Sequence, residues 1–183
     1  MNKLLITEVA LRDGSHVVGH QFTKEQVRNV TKQLSAAGVP YIEVTHGDGL
    51  GGSSLQYGFS KQYDIELIKV AVEEAGNSTI AVLLLPGIGT IEDLKKAYDA
   101  GARMVRVATH VTEADVSKQH IETAKAMGME VVGFLMMAHS ASPEVVLEQA
   151  KLMESYGADV VYVTDSAGAM LPSDVTARIS LLK

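Results

Sequence analysis

Short runs of apolar and β-branched residues alternate with longer amphipathic stretches along the whole chain. Apolar runs of about four to eight residues, bounded by turn-forming residues, predict buried strands. The six predicted strands cover residues 4–11, 41–46, 79–86, 104–110, 130–137 and 160–166. Between them, apolar positions recur at helical spacing. This spacing predicts helices near residues 23–37, 63–75, 90–100, 113–127 and 143–156, and a last one from about 172 to the end of the chain.

Local sequence features mark the ends of these helices. Thr23 and Gln26 have the spacing of a capping box, and Ser142 followed by Pro143 predicts an N-cap with proline in the first turn. A glycine follows each of the first five helices: Gly38, Gly76, Gly101, Gly128 and Gly157. Strict alternation of strand and helix predicts an α/β protein, either a (β/α) barrel or an open doubly wound sheet. Residues 1–183 are predicted to form a single domain.

Composition narrows the class of protein. Hydrophobic residues make up 46% and charged residues 21% of the sequence, as in soluble globular proteins. A net charge of −6 argues against a nucleic-acid partner, and the absence of cysteine excludes disulfides and thiolate metal sites. No run approaches the ~18 apolar residues of a membrane span, and the N-terminal run is too short for a signal peptide. We therefore expect a cytoplasmic protein that binds neither nucleic acid nor membranes.

Histidines collect where the predicted strands end. Only His120 falls inside a predicted helix. The other five are His16, His20, His46, His110 and His139. Arg12 and Asp13 close the first strand, and Asp165 and Ser166 close the sixth. In a (β/α) barrel the C-terminal strand ends surround one opening, where catalytic groups converge. This distribution predicts a functional site at that rim.

The residues after the first strand have structural as well as functional interpretations. Arg12 can serve only to pair with Asp13. Asp13 can cap a turn or, as a carboxylate, can bind a hard divalent cation. His16 and His20 are four residues apart, but neighbouring glycines argue against a regular helix there. A general base, which imidazole suits because it titrates near neutrality, is therefore favoured over a zinc pair on one helical face.

The other candidates have simpler alternatives. His46 and His110 can hydrogen-bond neighbouring loop backbone, and His120 can be a structural or solvated helix residue. Ser166 can cap a turn before Gly168. None of these residues is assigned a role by its position alone.

The segment GDGLGG, residues 47–52, matches the G-x-G-x-x-G pattern of dinucleotide-binding proteins. That pattern binds a pyrophosphate where it opens directly into a helix, whereas here the polar loop SSLQYGFSKQYD follows. The sequence also has no G-x-x-x-x-G-K-[ST] and no G-x-S-x-G element. It therefore argues against a nicotinamide-dependent enzyme, a nucleotide hydrolase and a serine hydrolase.

Six segments, in order along the chain, resemble a known family. They are LRDGSH, EVTHGDGLGGSS, LLLPGIGT, VRVATHVTEADVSKQHI, GFLMMAHS and YVTDSAGAM. From about residue 4 to 183 the sequence resembles the 4-hydroxy-2-oxovalerate aldolases, which belong with the HMG-CoA lyases and isopropylmalate synthases among metal-dependent lyases. The resemblance implies a (β/α)8 TIM barrel. It also implies cleavage of 4-hydroxy-2-oxovalerate to pyruvate and acetaldehyde, in the degradation of aromatic compounds, with a divalent metal, typically Mn²⁺.

The same resemblance implies roles for four residues. Arg12 would bind the keto acid and stabilise the pyruvate enolate, and His16 would be the catalytic base. Asp13 would be a metal ligand that also contacts the substrate, and Ser166 would contact the carboxylate side of the substrate. The resemblance also implies an oligomer and an acylating acetaldehyde dehydrogenase as partner.

The sequence departs from this family in length. It contains six βα units rather than eight. The two histidine metal ligands of the family, in an H-x-H element, and its catalytic tyrosine are expected beyond residue 183. Three explanations compete: a truncated piece of a longer gene product, a natural short paralogue, and a chain that completes its sheet with a second copy. The alternative functions are a non-catalytic binding or assembly module and a related acyl-CoA lyase or synthase.

Overall fold

Six strands and six α-helices alternate in the computed structural model, which describes residues 4–183. The strands are β1 (Thr7–Glu8), β2 (Tyr41–Glu43), β3 (Thr79–Leu84), β4 (Met104–His110), β5 (Glu130–Met136) and β6 (Val160–Val163). The helices are α1 (Lys24–Ala36), α2 (Asp64–Glu74), α3 (Ile91–Asp99), α4 (Lys118–Ala126), α5 (Pro143–Ser155) and α6 (Pro172–Leu182). Short 3-10 helices follow three strands, at Asp13–His16, Ala114–Ser117 and Ala138–Ser140. Within residues 4–183 no helix has both the length and the apolar character needed to cross a membrane.

The strand order decides between the two architectures that the sequence left open. The strands are neighbours in the order β1 to β6, and the pairs β1–β2, β2–β3 and β5–β6 are parallel. A doubly wound sheet reverses its strand order at a switch point, and the strands of residues 4–183 show no reversal. Sequential parallel strands, each followed by a helix, are the arrangement of a (β/α) barrel.

The helix predictions agree with the structure to within two residues, except for the fourth helix. The region predicted as a helix over 113–127 begins with a 3-10 helix and becomes α-helical only at Lys118. Five of the six strand predictions run past the C-terminal end of the strand, by three residues for β1, β2 and β6, by two for β3 and by one for β5. After β1, the amides of Arg12 and Asp13 both donate to the carbonyl of Val9, at 3.0 and 2.7 Å. These hydrogen bonds form a tight turn, so the two residues do not continue the strand.

The chain groups into two compact units, Met1–Val105 and Arg106–Lys183. In the first unit, α1 packs against α2 and salt bridges join their surfaces, with Arg28 between Glu73 and Glu74. The core of this unit is built from fully buried aliphatic side chains, among them Val27, Ile42, Ile68, Leu84 and Leu94. The expectation that residues 1–183 form a single domain stays a prediction.

In the second unit, α5 lies close to the strand that precedes it. A Cβ atom built on Gly133 of β5 would lie 2.5 Å from Sδ of the fully buried Met153 of α5, so glycine permits this close packing. On β4, the buried guanidinium of Arg106 lies 4.8 Å from the ring centroid of Phe134. The core of the unit therefore includes a cation beside an aromatic ring.

Arg178 of α6 fixes the loop that follows β5. Its guanidinium donates to the carbonyls of Ala138 at 3.1 Å, His139 at 3.4 Å and Ala141 at 2.7 Å. The side chain is buried, so these carbonyls have little access to water as an alternative partner. Arg178 thus determines the conformation of the segment that carries His139.

Arg178→Met is expected to lower the free energy of unfolding by about 3 kcal/mol, because it removes three hydrogen bonds to loop carbonyls, one of them buried. Urea denaturation followed by circular dichroism measures this change. Ser180→Ala, at an exposed position of the same helix, is the matched control and should change stability by less than about 0.5 kcal/mol. Equal stability of the two variants would show that Arg178 does not hold the loop.

Candidate active site

Arg12 is held in a fixed orientation by a buried ion pair. It lies just before the 3-10 helix Asp13–His16, and only 8% of the residue is exposed. Its Nε donates to Oε1 of Glu43 on β2 at 2.5 Å, and its Nη1 donates to Oδ1 of Asp13 at 2.7 Å. Nη1 also lies 3.4 Å from the carbonyl oxygen of Gly47. Pairing with Asp13 is therefore real, but it is only one part of this network.

Glu43 is a site residue that the sequence reasoning missed. It is fully buried, at 0% exposure, between the buried apolar residues Ile42 and Val44. Glutamate is almost never fully buried unless it is paired. A charged residue inside a predicted buried strand was the feature that could have revealed it, because such a residue needs a cationic partner.

The 3-10 helix and the turn after it bring three histidines together. Ring centroids of His16 and His20 are 5.0 Å apart, and the rings of His20 and His46 stack at 3.6 Å with 22° between their planes. His20 has a left-handed backbone, with φ of 61°, which folds it back towards His16. The expectation that a regular helix does not pair these two residues is confirmed, because a tight turn does so instead.

The hydrogen bonds of the two stacked rings determine which nitrogen of each ring carries the proton. The amide of Asp48 donates to Nδ1 of His46 at 3.0 Å, so Nε2 carries the proton and donates to the Gly58 carbonyl at 3.1 Å. The amide of Gly47 donates to Nδ1 of His20 at 3.4 Å, which places the proton of that ring on Nε2 too. Burial lowers the pKa of His20 and of His46 below the ordinary value, and the proximity of the other histidines adds to this. Both rings are therefore neutral at pH 7.

Two of the four glycines in residues 47–52 make room for imidazole rings. A Cβ atom on Gly47 would collide with the ring of His16, and one on Gly52 would lie 2.5 Å from Nδ1 of His46. The segment continues through turns, and the next helix begins only at Asp64. The match to a dinucleotide-binding pattern thus reflects the packing of histidines against backbone.

Asp64, the first residue of α2, anchors this glycine-rich loop. Its carboxylate accepts the amide of His46 at 3.0 Å and a further hydrogen bond from the amide of Gly51. Burial raises the pKa of Asp64 to about 6, because the charged form is poorly solvated there. The loop is therefore tied to a carboxyl group that titrates close to neutral pH.

Two sets of oxygen and nitrogen atoms in this unit have the chemistry of metal ligands. Asp13 is 63% exposed at its side chain, and one of its oxygens is hydrogen-bonded to Arg12. Separately, one ligand atom from each of His16, His20 and Asp48 lies within 4.8 Å of the other two. Imidazole nitrogen and carboxylate oxygen together suit divalent metals of intermediate softness.

Ser166 belongs to the second unit. It lies in the loop after β6, and its hydroxyl accepts the amide of Met137 at 2.9 Å. The neighbouring Asp165 accepts the amides of Ala169 and Met170, which lower its pKa. His139 Nδ1 lies 3.5 Å from Oδ1 of Asp165. Ser166 is thus held in an ordered loop, while Arg12, Asp13 and His16 are brought together on the first unit.

The remaining histidines have structural surroundings. The backbone amide of Thr112 donates to Nδ1 of His110 at 3.3 Å, so this residue makes the contact with loop backbone that the sequence offered as its simpler interpretation. His120 lies within α4, and burial lowers its pKa.

Comparison with known proteins identifies the family. Residues 3–183 match the family described as HMGL-like, and the chain belongs to that family. The sequence is 67% identical over 178 residues to the 4-hydroxy-2-oxovalerate aldolase of Bacillus cereus (strain ATCC 10987 / NRS 248). It is 66% identical over 178 residues to the protein of the same name from Geobacillus thermodenitrificans (strain NG80-2). Each match covers 97% of this chain and 52% of the relative, so the chain spans about half the length of the curated relatives it matches.

The fold is similar to that of a solved lyase. The crystal structure of HMG-CoA lyase from Bacillus subtilis superposes with a TM-score of 0.79 at 20% identity, covering 100% of this chain and 65% of that one. This likeness, together with the sequential parallel strands, confirms the predicted TIM-barrel type of α/β fold with six βα units. The resemblance that the six motifs carry is likewise confirmed.

Glu43→Gln is expected to lower the free energy of unfolding by about 3 kcal/mol, because it removes the buried anionic partner of Arg12 and leaves only the largely exposed Asp13. Glu73→Gln removes an exposed partner of Arg28 and is the matched control, with a cost below about 1 kcal/mol. Urea denaturation measures both. A similar small loss in the two variants would mean that the Arg12–Glu43 pair contributes no more than a surface ion pair.

Asp64→Asn is expected to change how stability depends on pH. A carboxyl pKa raised from 3.8 to about 6 favours the folded state fully below 3.8, and this contribution is lost as the pH rises through about 6. Relative to that of Asp64→Asn, the free energy of unfolding of the native protein should therefore fall by about 3 kcal/mol between about pH 4 and about pH 7. The histidines are present in both proteins, so their effects cancel in the difference.

Urea denaturation at a series of pH values tests this expectation. Asp99→Asn, at an exposed position, is the control and should leave the pH profile of stability unchanged. A constant difference between native protein and Asp64→Asn at every pH would contradict the raised pKa.

Proposed function

We propose that this chain supplies the substrate-binding half of a divalent-metal-dependent aldolase that cleaves 4-hydroxy-2-oxovalerate to pyruvate and acetaldehyde. The arrangement of Arg12, Asp13 and His16 on one 3-10 turn after β1 carries the proposal, because it combines a cation, a carboxylate and a base at a strand end. The name of the relatives at 66–67% identity supports the keto-acid substrate.

His16 is assigned as the base that takes the proton of the C4 hydroxyl. Its ring is exposed and is oriented by the ring of His20, 5.0 Å away. When the hydroxyl proton moves to the imidazole, the C3–C4 bond breaks and its electron pair passes to the pyruvate enolate. A correctly placed base typically contributes about 10²–10⁴-fold to such a rate.

Arg12 is assigned to the keto acid and to the enolate that forms from it. Glu43, Asp13 and the Gly47 carbonyl engage Nε and Nη1, and we assign Nη2 to the substrate. Because these contacts fix the guanidinium before the substrate binds, no reorganisation is needed as negative charge develops. Glu43 is a positioning residue in this scheme.

Asp13 is the residue of this chain that we assign to the metal. Its exposed carboxylate has one oxygen bound to Arg12 and a second oxygen available to a hard cation, so the donor chemistry fits Mn²⁺. The remaining histidine ligands are those expected beyond residue 183. When bound, the cation would stabilise negative charge on the enolate oxygen.

Ser166 is assigned to the carboxylate side of the substrate. Its hydroxyl oxygen accepts from Met137, and this leaves the hydroxyl proton for donation to a carboxylate oxygen. The resemblance also supports an acylating acetaldehyde dehydrogenase as partner, because acetaldehyde is reactive. We also propose that the protein is oligomeric and is located in the cytoplasm.

A chimera tests the proposed activity. Residues 1–183 replace the aligned part of the Bacillus cereus relative, and pyruvate formation from 4-hydroxy-2-oxovalerate with Mn²⁺ is followed with lactate dehydrogenase. We expect turnover, and His16→Ala should lower kcat by about 10²–10⁴-fold because the base is removed. His110→Gln, at a histidine that contacts Thr112, is the control and should leave kcat unchanged.

Two results would contradict the proposal. A folded chimera without pyruvate formation would reject the aldolase assignment for residues 1–183. Equal kcat values for the parent chimera and His16→Ala would reject His16 as the base. Circular dichroism of each protein distinguishes loss of chemistry from loss of fold.

A further inference from the structure

His16, His20 and Asp48 form a second group of ligand atoms, separate from Asp13. His16, His20 and Asp48 each place one ligand atom within 4.8 Å of the other two. A tetrahedral zinc ion with bonds of about 2.0–2.1 Å holds its ligand atoms about 3.4 Å apart. The three groups must therefore approach by no more than about 1.4 Å, and the exposed side chain of His16 can supply that movement by rotation.

The second nitrogen of His20 already has the partner that metal-bound histidines require. Nδ1 accepts from the amide of Gly47, and the proton on the other nitrogen is hydrogen-bonded to the backbone of Tyr57. Histidine ligands commonly donate their distal N–H to a backbone carbonyl, which fixes the ring and directs the other lone pair at the metal. His20 is thus oriented with Nδ1 towards Gly47, on the side where the ring of His16 also lies.

The competing interaction at this nitrogen is weak. The hydroxyl of Ser15 lies 3.0 Å from Nδ1 of His20, and the Gly47 amide is at 3.4 Å. A neutral hydrogen bond is far weaker than a bond to a divalent cation. Burial keeps His20 neutral by lowering its pKa, so protons do not occupy the lone pair at pH 7.

We propose that His16, His20 and Asp48 bind a divalent transition-metal cation of the zinc class, at a site distinct from the Asp13 centre. Two imidazole nitrogens and one carboxylate oxygen favour Zn²⁺, Ni²⁺ and Cu²⁺ over the harder Mn²⁺ and Mg²⁺. Three protein ligands leave one coordination position to water.

Occupation of this site removes a free lone pair from His16. On the proposed function, the bound cation therefore inhibits the aldolase by occupying its base. This consequence rests on the proposed function, whereas the binding itself does not.

Zn²⁺ titration of the 183-residue chain by calorimetry tests the site directly. We expect one Zn²⁺ per chain at pH 7, and an affinity that falls as the solution is made acidic, because protons compete for the imidazoles. His16→Gln and Asp48→Asn should each weaken binding by at least about 10-fold. His110→Gln is the matched control and should bind as the native chain does. The visible absorption of Co²⁺, bound in place of Zn²⁺, reports whether the site is four-coordinate.

Variants of the ligand residues test the zinc site independently of the proposed function. His16 is exposed, so His16→Gln is expected to fold and thermal melting confirms this. Absence of saturable Zn²⁺ binding, or unchanged affinity in His16→Gln and Asp48→Asn, would overturn the site. Loss of Zn²⁺ binding in Asp13→Asn with retention in His16→Gln would also overturn it, because the cation would then occupy the Asp13 centre. Pyruvate formation by the chimera, by contrast, bears only on the aldolase assignment.

Discussion

The buried ion pair between Arg12 and Glu43 organises the first unit. Two opposite charges with little access to water are stable only if each satisfies the other, so the turn after β1 must sit against the end of β2. This requirement places Asp13 beside the guanidinium and starts the 3-10 helix that carries His16. The ion pair that holds the turn against β2 therefore also brings Arg12, Asp13 and His16 together.

The glycine-rich loop after β2 forms the other side of this arrangement. The rings of His16 and His46 fill space that a side chain on Gly47 or Gly52 would occupy. Asp64 ties the same loop to the start of α2 through backbone amides. The loop thus packs around imidazoles, and Gly47 and Gly52 provide the clearance for them.

His16 has two proposed uses that exclude each other. As a free base it needs an accessible lone pair, and as a metal ligand it gives that lone pair to a cation. The difference in hardness between the two ligand sets separates the cations, because Asp13 offers carboxylate oxygen whereas His16 and His20 offer nitrogen. The two proposals together assign activation by a hard cation and inhibition by a softer one to one small region of the chain.

Hydrophobic periodicity was sufficient to predict the alternating strands and helices and the α/β class, because strand and helix spacing are local properties of the chain. The six motifs along the chain also identified the family from the sequence. The strand order, the Arg12–Glu43 pair and the meeting of His16, His20 and Asp48 required the three-dimensional structure. Residues 31 positions apart in sequence meet only when β1 and β2 pair, and a left-handed turn at His20 is not encoded by spacing. Local patterns specify elements, whereas burial and charge compensation between distant residues determine the site.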